Sequence, residues 1–237
     1  MKLSVPAYQL KRQAKRLSRE EKIPLHAALD RTAARQGFAG WSLLASKHET
    51  MPAAGRLLTL LQPGDLLLVG ARPGQGKTLF SLELAVEVMK SGRRSAFFSL
   101  EYTHKDILGR FQALGVESAQ FDRQFEFDGS DAIDADYMMA ALAAAPSGTL
   151  VVVDYLQLLD QKRESPNLVD QVSKIRSFAR DKGLIFVFIS QIDRSYDPAN
   201  KPFPDLDDVR LPNPLDLGLF DKACFLSNGH VRFKALN

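Results

Sequence analysis

The sequence predicts an α/β fold: a mostly parallel sheet with helices on both faces, preceded by a small α-helical N-terminal segment. Two observations carry this. Short, continuously apolar runs such as Leu66-Leu67-Leu68-Val69 and Leu150-Val151-Val152-Val153 recur with helix-like stretches between them, and strands apolar on both faces belong to covered parallel sheets. The first fifty residues lack such runs. They hold ten Lys or Arg against four Asp or Glu, whereas the remainder holds 21 against 24, so a basic head is joined to a mildly acidic body.

In the head, Leu10, Ala14 and Leu17 follow helical spacing over residues 8–22, with Lys11, Lys15, Arg19 and Lys22 along another face. Ile23-Pro24 interrupts. Residues 25–36 form a second helix with Leu25, Ala28, Leu29 and Ala33 on one side and Gly37 as its stop. Trp41 to Lys47 suggests a third. The expected division is a helical segment 1–50, a joint at Met51 to Gly55, and a main domain 56–237.

In the body, Pro63-Gly64 introduces a strand from Asp65 to Gly70. A helix from Leu79 to Lys90 follows, ended by Ser91-Gly92. Ser95 to Leu100 is the second strand, residues 104–114 a helix stopped by Gly115, and Asp131 to Ala144 an alanine-rich helix stopped at Pro146-Ser147-Gly148. Leu150 to Val153 is a strand, Asn167 to Asp181 a helix, and Leu184 to Ile189 the fourth strand. Cys224 to Ser227 and Val231 to Ala235 form a closing hairpin about Asn228-Gly229.

Between the first strand and its helix stands Gly70-Ala71-Arg72-Pro73-Gly74-Gln75-Gly76-Lys77-Thr78. This meets G-x-x-x-x-G-K-[ST] except that the first position is Ala71, with Gly70 one place earlier. A glycine-rich turn between a buried strand and a helix aims backbone N–H groups at one point, where the helix dipole adds positive potential. Lys77 then reaches β- and γ-phosphates, and the Thr78 hydroxyl can ligate Mg²⁺. The turn predicts binding of a nucleoside triphosphate, ATP with Mg²⁺, through Gly74, Gln75, Gly76, Lys77 and Thr78.

Ligands of open α/β sheets lie beyond the carboxyl ends of the strands. Three polar residues fall there: Glu101 after Phe97 to Leu100, Asp154 after Leu150 to Val153, and Gln191 after Phe188-Ile189-Ser190. Any one alone reads as a polar residue opening a loop; three on strands beside the phosphate turn read as one site. Asp154 suits a carboxylate that holds Mg²⁺, Glu101 one that orients an attacking water, and Gln191 a group that senses the terminal phosphate.

Four segments together resemble the RecA-type motor domain of the DnaB replicative helicase family: 70–78, Phe-Phe-Ser-Leu-Glu (97–101), Val-Val-Asp-Tyr-Leu-Gln-Leu (152–158) and Ile-Ser-Gln-Ile-Asp-Arg-Ser (189–195). The resemblance runs from about residue 56 onward. It implies a RecA-like P-loop NTPase core, ATP with Mg²⁺, a ring of six subunits and single-stranded DNA in the central channel. By matching motif, Glu101 is the catalytic glutamate, acting with Lys77 and Gln191. Asp154 is the Walker B aspartate, which holds the metal with Thr78. Arg72, Pro73, Gly74, Gln75, Gly76, Lys77, Thr78, Leu79 and Arg194 are the nucleotide-contacting set. The sequence departs from the family in two places. The family's Lys-x-Arg element, which reaches a neighbour's site, is met only by Arg232-Phe233-Lys234 in reversed order, and two cations on an edge strand are otherwise simply solvated. The N-terminal segment does not look like the family's collar domain or linker.

The stretch Asp193 to Asp216 has only Arg194, Lys201 and Arg210 as cations against six aspartates, a poor track for a phosphate backbone. Tyr196 and Phe203 either stack on bases or pack the loop onto the core. The basic helix of residues 11–22 is the better place for DNA or a DNA-associated protein, unless it is only a solvated face. No apolar run approaches the roughly 18 to 20 residues of a membrane span, and Met1 to Pro6 lacks a signal-peptide core. Cys224 is alone, which leaves no disulfide and no cysteine metal site, and lies in an apolar run as a small core residue. A cytoplasmic protein is expected. It is a DnaB-type ATPase acting on DNA, a nucleotide-dependent regulatory protein, or a degenerate core used for assembly; intact Lys77, Thr78, Glu101 and Asp154 argue against the last.

Overall fold

The computed structural model describes residues 7–44, 51–117, 120–121, 123–160, 166–211 and 213–236. The chain divides into two compact units, Met1–Leu61 and Gln62–Asn237.

In the first unit, α1 (Ala7–Glu20) packs on α2 (Leu25–Arg35). Leu10, Ala33, Phe38 and Leu44 form its core, with Trp41 against them. Ser18 Oγ donates to Ile23 O at 2.7 Å, and Lys22 takes a positive φ of 54° to make the turn between the helices. Of the helix expected from Trp41 to Lys47, residues 41–44 are helical and 45–47 lie outside the described residues. A short helix, α3 (Ala53–Leu58), begins after Pro52, where a joint was expected. Pro52 needs no N–H at a helix start, and Ala54 and Leu57 are buried.

The second unit is a seven-stranded sheet in the order β3-β2-β4-β5-β1-β6-β7. The strands are β1 (Leu66–Ala71), β2 (Ser95–Ser99), β3 (Phe125–Asp128), β4 (Leu150–Asp154), β5 (Ile185–Gln191), β6 (Lys222–Ser227) and β7 (His230–Ala235). All pairings are parallel except β6–β7. Between the strands run α4 (Lys77–Lys90), α5 (His104–Ala113), α6 (Ala135–Ala141) and α7 (Leu168–Lys182).

Successive strand residues point to opposite faces, and here both faces are buried. Leu66, Leu68, Val151, Val153, Phe186 and Phe188 share one cluster with Met138 of α6 and with Val172 and Ile175 of α7. The intervening Leu67, Val69, Val152, Val187 and Ile189 are fully buried as well, and α4 lies against β1, β2, β4 and β5. Gln171, buried inside α7, satisfies its amide: Nε2 donates to Pro166 O at 2.8 Å and to Leu159 O, and Oε1 accepts from Ala135 N at 3.1 Å. Asn228 and Gly229 carry the positive φ values, 49° and 76°, that a tight hairpin requires. The sequence reading missed β3, a four-residue edge strand of which no residue is buried, because so short a half-polar run has no distinctive period. The alanine-rich helix is also shorter than expected. Asp134 caps it by accepting from Tyr137 N at 2.8 Å, so residues 131–134 stay outside.

Candidate functional site

The site is assembled at the carboxyl edge of the sheet. The register sets Ser99 of β2 beside Asp154 of β4, Asp154 beside Ile189 of β5, and Gln191 beside Ala71 of β1. Glu101 follows two residues after Ser99, where its N–H donates to Ser99 Oγ at 3.1 Å. Thus the three polar strand ends converge on the turn that follows β1.

That turn is Arg72 to Gly76, since Ala71 closes the strand. Gly70 sits inside β1, and a Cβ there would come within 2.9 Å of the Phe225 ring. Gly74 and Gly76 adopt φ of 78° and 81°, left-handed geometry that favours glycine. Gly76 is the N-cap of α4 and no side chain caps the helix, so first-turn N–H groups remain available to an anion. Lys77 Nζ donates to Ala71 O at 3.1 Å and Arg72 O at 3.2 Å. Burial lowers its pKa, opposed by the charges of Asp154 and Glu101. Thr78 Oγ1 donates to Asp154 Oδ2 at 2.9 Å. Asp154 is 2% exposed, and burial pushes its carboxyl up to about 6, against the Thr78 hydrogen bond and with a further push from Glu101. A hydroxyl and a carboxylate oxygen at this separation are hard donors that fit a small divalent cation such as Mg²⁺.

A cleft of about 510 Å³ is lined by Pro73, Gly74, Gly76, Lys77, Thr78, Leu79, Glu101, Asp154 and Gln191. The remaining predicted residues, Arg72, Gln75 and Arg194, line an adjacent cleft of about 420 Å³ that shares Pro73 and Gln191. Gln75 Oε1 accepts from Asn228 N at 2.8 Å, tying the turn to the β6–β7 hairpin. Gln191 Oε1 accepts from Arg210 Nη1 at 3.4 Å.

Sequence reasoning missed Tyr102 and Arg110, which also line the first cleft. The Arg110 guanidinium lies 4.4 Å over the Tyr102 ring, a cation–π contact, and its charge favours the ionised form of Asp154. The signal was available. The Thr103/Asp106 capping box starts α5 just after Glu101, and two turns later such a helix returns a side chain to the same strand end.

Residues 52–146 match the family model described as DnaB-like helicase C terminal domain. That stretch is thus similar to DnaB-type helicase domains. Among curated proteins, the chain is 28% identical over 187 residues to the replicative DNA helicase DnaB of Geobacillus stearothermophilus, covering 65% of this chain and 41% of the relative. It is 27% identical over 187 residues to the replicative DNA helicase DnaC of Bacillus subtilis, with the same coverage. The chain therefore spans about two fifths of the length of these relatives. Among solved structures, the ATPase domain of G40P superposes with a TM-score of 0.60 at 17% identity, over 79% of this chain and 81% of that one. A DnaB-like replicative helicase solved to show its interactions with primase also gives 0.60, at 16% identity, over 92% and 64%. At such identity these structures speak for the fold: the mostly parallel, RecA-like DnaB-type architecture.

Other residues singled out in the sequence resolve elsewhere in the fold. Tyr196 is buried in the main core, with its hydroxyl donating to Lys201 O at 2.7 Å, so it packs and is not a stacking platform. Lys201 is held by Asp205 at 2.7 Å and Asp208 at 2.6 Å. Cys224 is fully buried, and burial pushes its thiol up to about 12. Arg232 and Lys234 are exposed on β7. Among the described residues no helix is long and apolar enough to cross a membrane.

Proposed function

We propose that this chain binds ATP with Mg²⁺ in the first cleft and hydrolyses it, as a cytoplasmic RecA-like ATPase of the DnaB type that acts on DNA. The observation that carries the reading is the Thr78–Asp154 hydrogen bond beneath the glycine turn, with Lys77, Glu101 and Gln191 around one cleft. Lys77 leaves its two carbonyls for the β- and γ-phosphates, while the first-turn N–H groups of α4 take the phosphate oxygens. Thr78 and Asp154 would hold Mg²⁺, which neutralises charge on the phosphates when bound. Glu101, whose carboxylate makes no hydrogen bond among the described residues, orients the attacking water. Gln191 donates its amide N–H to the terminal phosphate, and Arg110 adds a second cation on the cleft's α5 side. Arg72, Gln75 and Arg194 face the rest of the nucleotide from the adjacent cleft.

The relatives' names support DNA as the substrate class, and the family resemblance supports a ring-shaped homo-oligomer, a hexamer, as the assembly. A second reading, a nucleotide-dependent regulatory protein without helicase activity, is favoured by one observation. The loop after β5 commits Lys201, one of its three cations, to its own aspartates, Arg210 donates to Gln191, and Ile192 bridges Val209, which leaves little charge or freedom to track a strand. Lys77→Ala, shown to be folded by circular dichroism, should weaken Mg-ATP binding by roughly a hundredfold or more by calorimetry. Unchanged affinity would refute the site. ATPase rates with and without single-stranded DNA separate the two readings: stimulation supports the first and its absence the second.

A further inference from the structure

Helix α1 presents Lys11, Arg12, Lys15, Arg16 and Arg19, all exposed. At 3.6 residues per turn these five fall within an arc of about 140°. Leu10 and Ala14 occupy the opposite side and are fully buried, Leu10 in the cluster with Ala33, Phe38 and Leu44. Arg16 pairs with Glu20 at 3.4 Å, but both side chains are well exposed, so that pair competes weakly with another anion. Lys11, Arg12, Lys15 and Arg19 make no ion pair among the described residues.

A helix that lies in a membrane surface needs an apolar face to insert, and the apolar face of α1 is already used in its own unit's core. Lys11, Lys15 and Arg19 instead form a row that climbs about 6 Å per step, four residues at a time. Such a regular row matches a polymer of regularly repeated charges better than the irregular surface of an acidic protein. We propose that the exposed face of α1 is a sequence-independent docking surface for the phosphodiester backbone of nucleic acid. It uses no residue of the nucleotide cleft and does not depend on hydrolysis.

The test uses the full chain and a variant combining Lys11→Gln, Arg12→Gln, Lys15→Gln and Arg19→Gln. Glutamine matches lysine and arginine closely in helix propensity, and circular dichroism checks that α1 persists. Fluorescence anisotropy with a labelled single strand and a labelled duplex, without nucleotide and over a salt series, gives affinity and salt slope. Each lost phosphate contact removes roughly 0.7 from the slope on a single strand and 0.9 on a duplex. The variant should lose about tenfold or more in low-salt affinity and roughly 3 from the slope, and the preferred arm identifies single strand or duplex. Lys174→Gln, a surface cation on α7, should bind like wild type.

Equal affinity and slope in wild type and variant would overturn the proposal. So would wild-type binding that ignores salt, or no wild-type binding to either form while polyglutamate or anionic vesicles are bound. If the fourfold variant fails to fold, a Lys11→Gln/Arg19→Gln pair carries the same test with about half the change. Repeating the titration with Lys77→Ala keeps the two readings apart. Retained DNA binding there supports this surface whatever the fate of the ATP site, and lost binding assigns the affinity to the core and overturns the proposal.

Discussion

The two ends of the sheet handle charge in opposite ways. At the starting ends of β1 and β6, Asp65 pairs with Lys222. Asp221 accepts from Arg180 Nη2 at 3.1 Å and from Leu66 N at 3.0 Å, and lies 3.7 Å from Arg176. At the carboxyl ends, Asp154 has one neutral hydroxyl and Lys77 two carbonyls, while Arg110 has an aromatic face. Glu101 makes no hydrogen bond through its carboxylate among the described residues. One end is charge-matched and serves stability. The other keeps donors and acceptors uncommitted in a cleft, which costs stability and leaves them free to meet a charged ligand.

Three substitutions can break this contrast. The largest effect is expected for Glu101→Gln at the uncommitted end. ATP hydrolysis should fall by roughly 10² to 10⁴-fold with the Tm nearly unchanged, because shape is kept and the charge that orients water is lost. A wild-type turnover rate in a phosphate-release assay would move the catalytic role to another group.

Next is Asp221→Ala at the matched end. It strands the Leu66 N–H and two guanidiniums, so unfolding free energy should drop by about 2–4 kcal/mol, read from urea melts, with Mg-ATP affinity of the folded fraction unaltered. A stability loss below about 0.5 kcal/mol would mean that this end is merely solvated.

The smallest is Asp154→Asn, which should act with the opposite sign on stability. The folded carboxyl titrates near 6 because it is buried, above the unfolded value of about 3.9. Its penalty is therefore absent below the unfolded pKa and complete above the folded one. The Asn variant should exceed wild type by about 1–3 kcal/mol at pH 8 without ligand, and the advantage should vanish as pH falls through 6 towards 4. A destabilised variant at pH 8 would show that the Thr78–Asp154 bond outweighs the buried charge.

The carboxyl-end site was largely legible before any coordinates because its parts are local. Gly74, Gly76, Lys77 and Thr78 lie within one turn, and Glu101, Asp154 and Gln191 each terminate an apolar run, so strand polarity alone sends them to one edge. The matched end was not legible. Asp221 meets Arg180 and Leu66, and Asp65 meets Lys222, only through the β1–β6 pairing, and nothing in the spacing of those charges announces it. Arg110 was passed over for a related reason: on its helix it reads as one more surface cation until Tyr102 is folded beneath it.

The sequence by itself determined the alternation of strands and helices, the glycine turn, and the acidic groups after the strands, since each follows from backbone sterics and local apolar patterning. It also determined the basic face of α1, which is a matter of helical spacing. Tertiary structure alone decided that β6 pairs with β1 and carries β7 to the edge. It decided that Gln75 turns to the hairpin while Arg72 and Arg194 share a second cleft. It buried Tyr196 and closed Lys201 onto its own aspartates, which removed two groups that composition had left open to nucleic acid. The physical reason is common to all of these. They depend on contacts between residues far apart in the chain, where packing and charge pairing choose among partners that local sequence leaves equivalent.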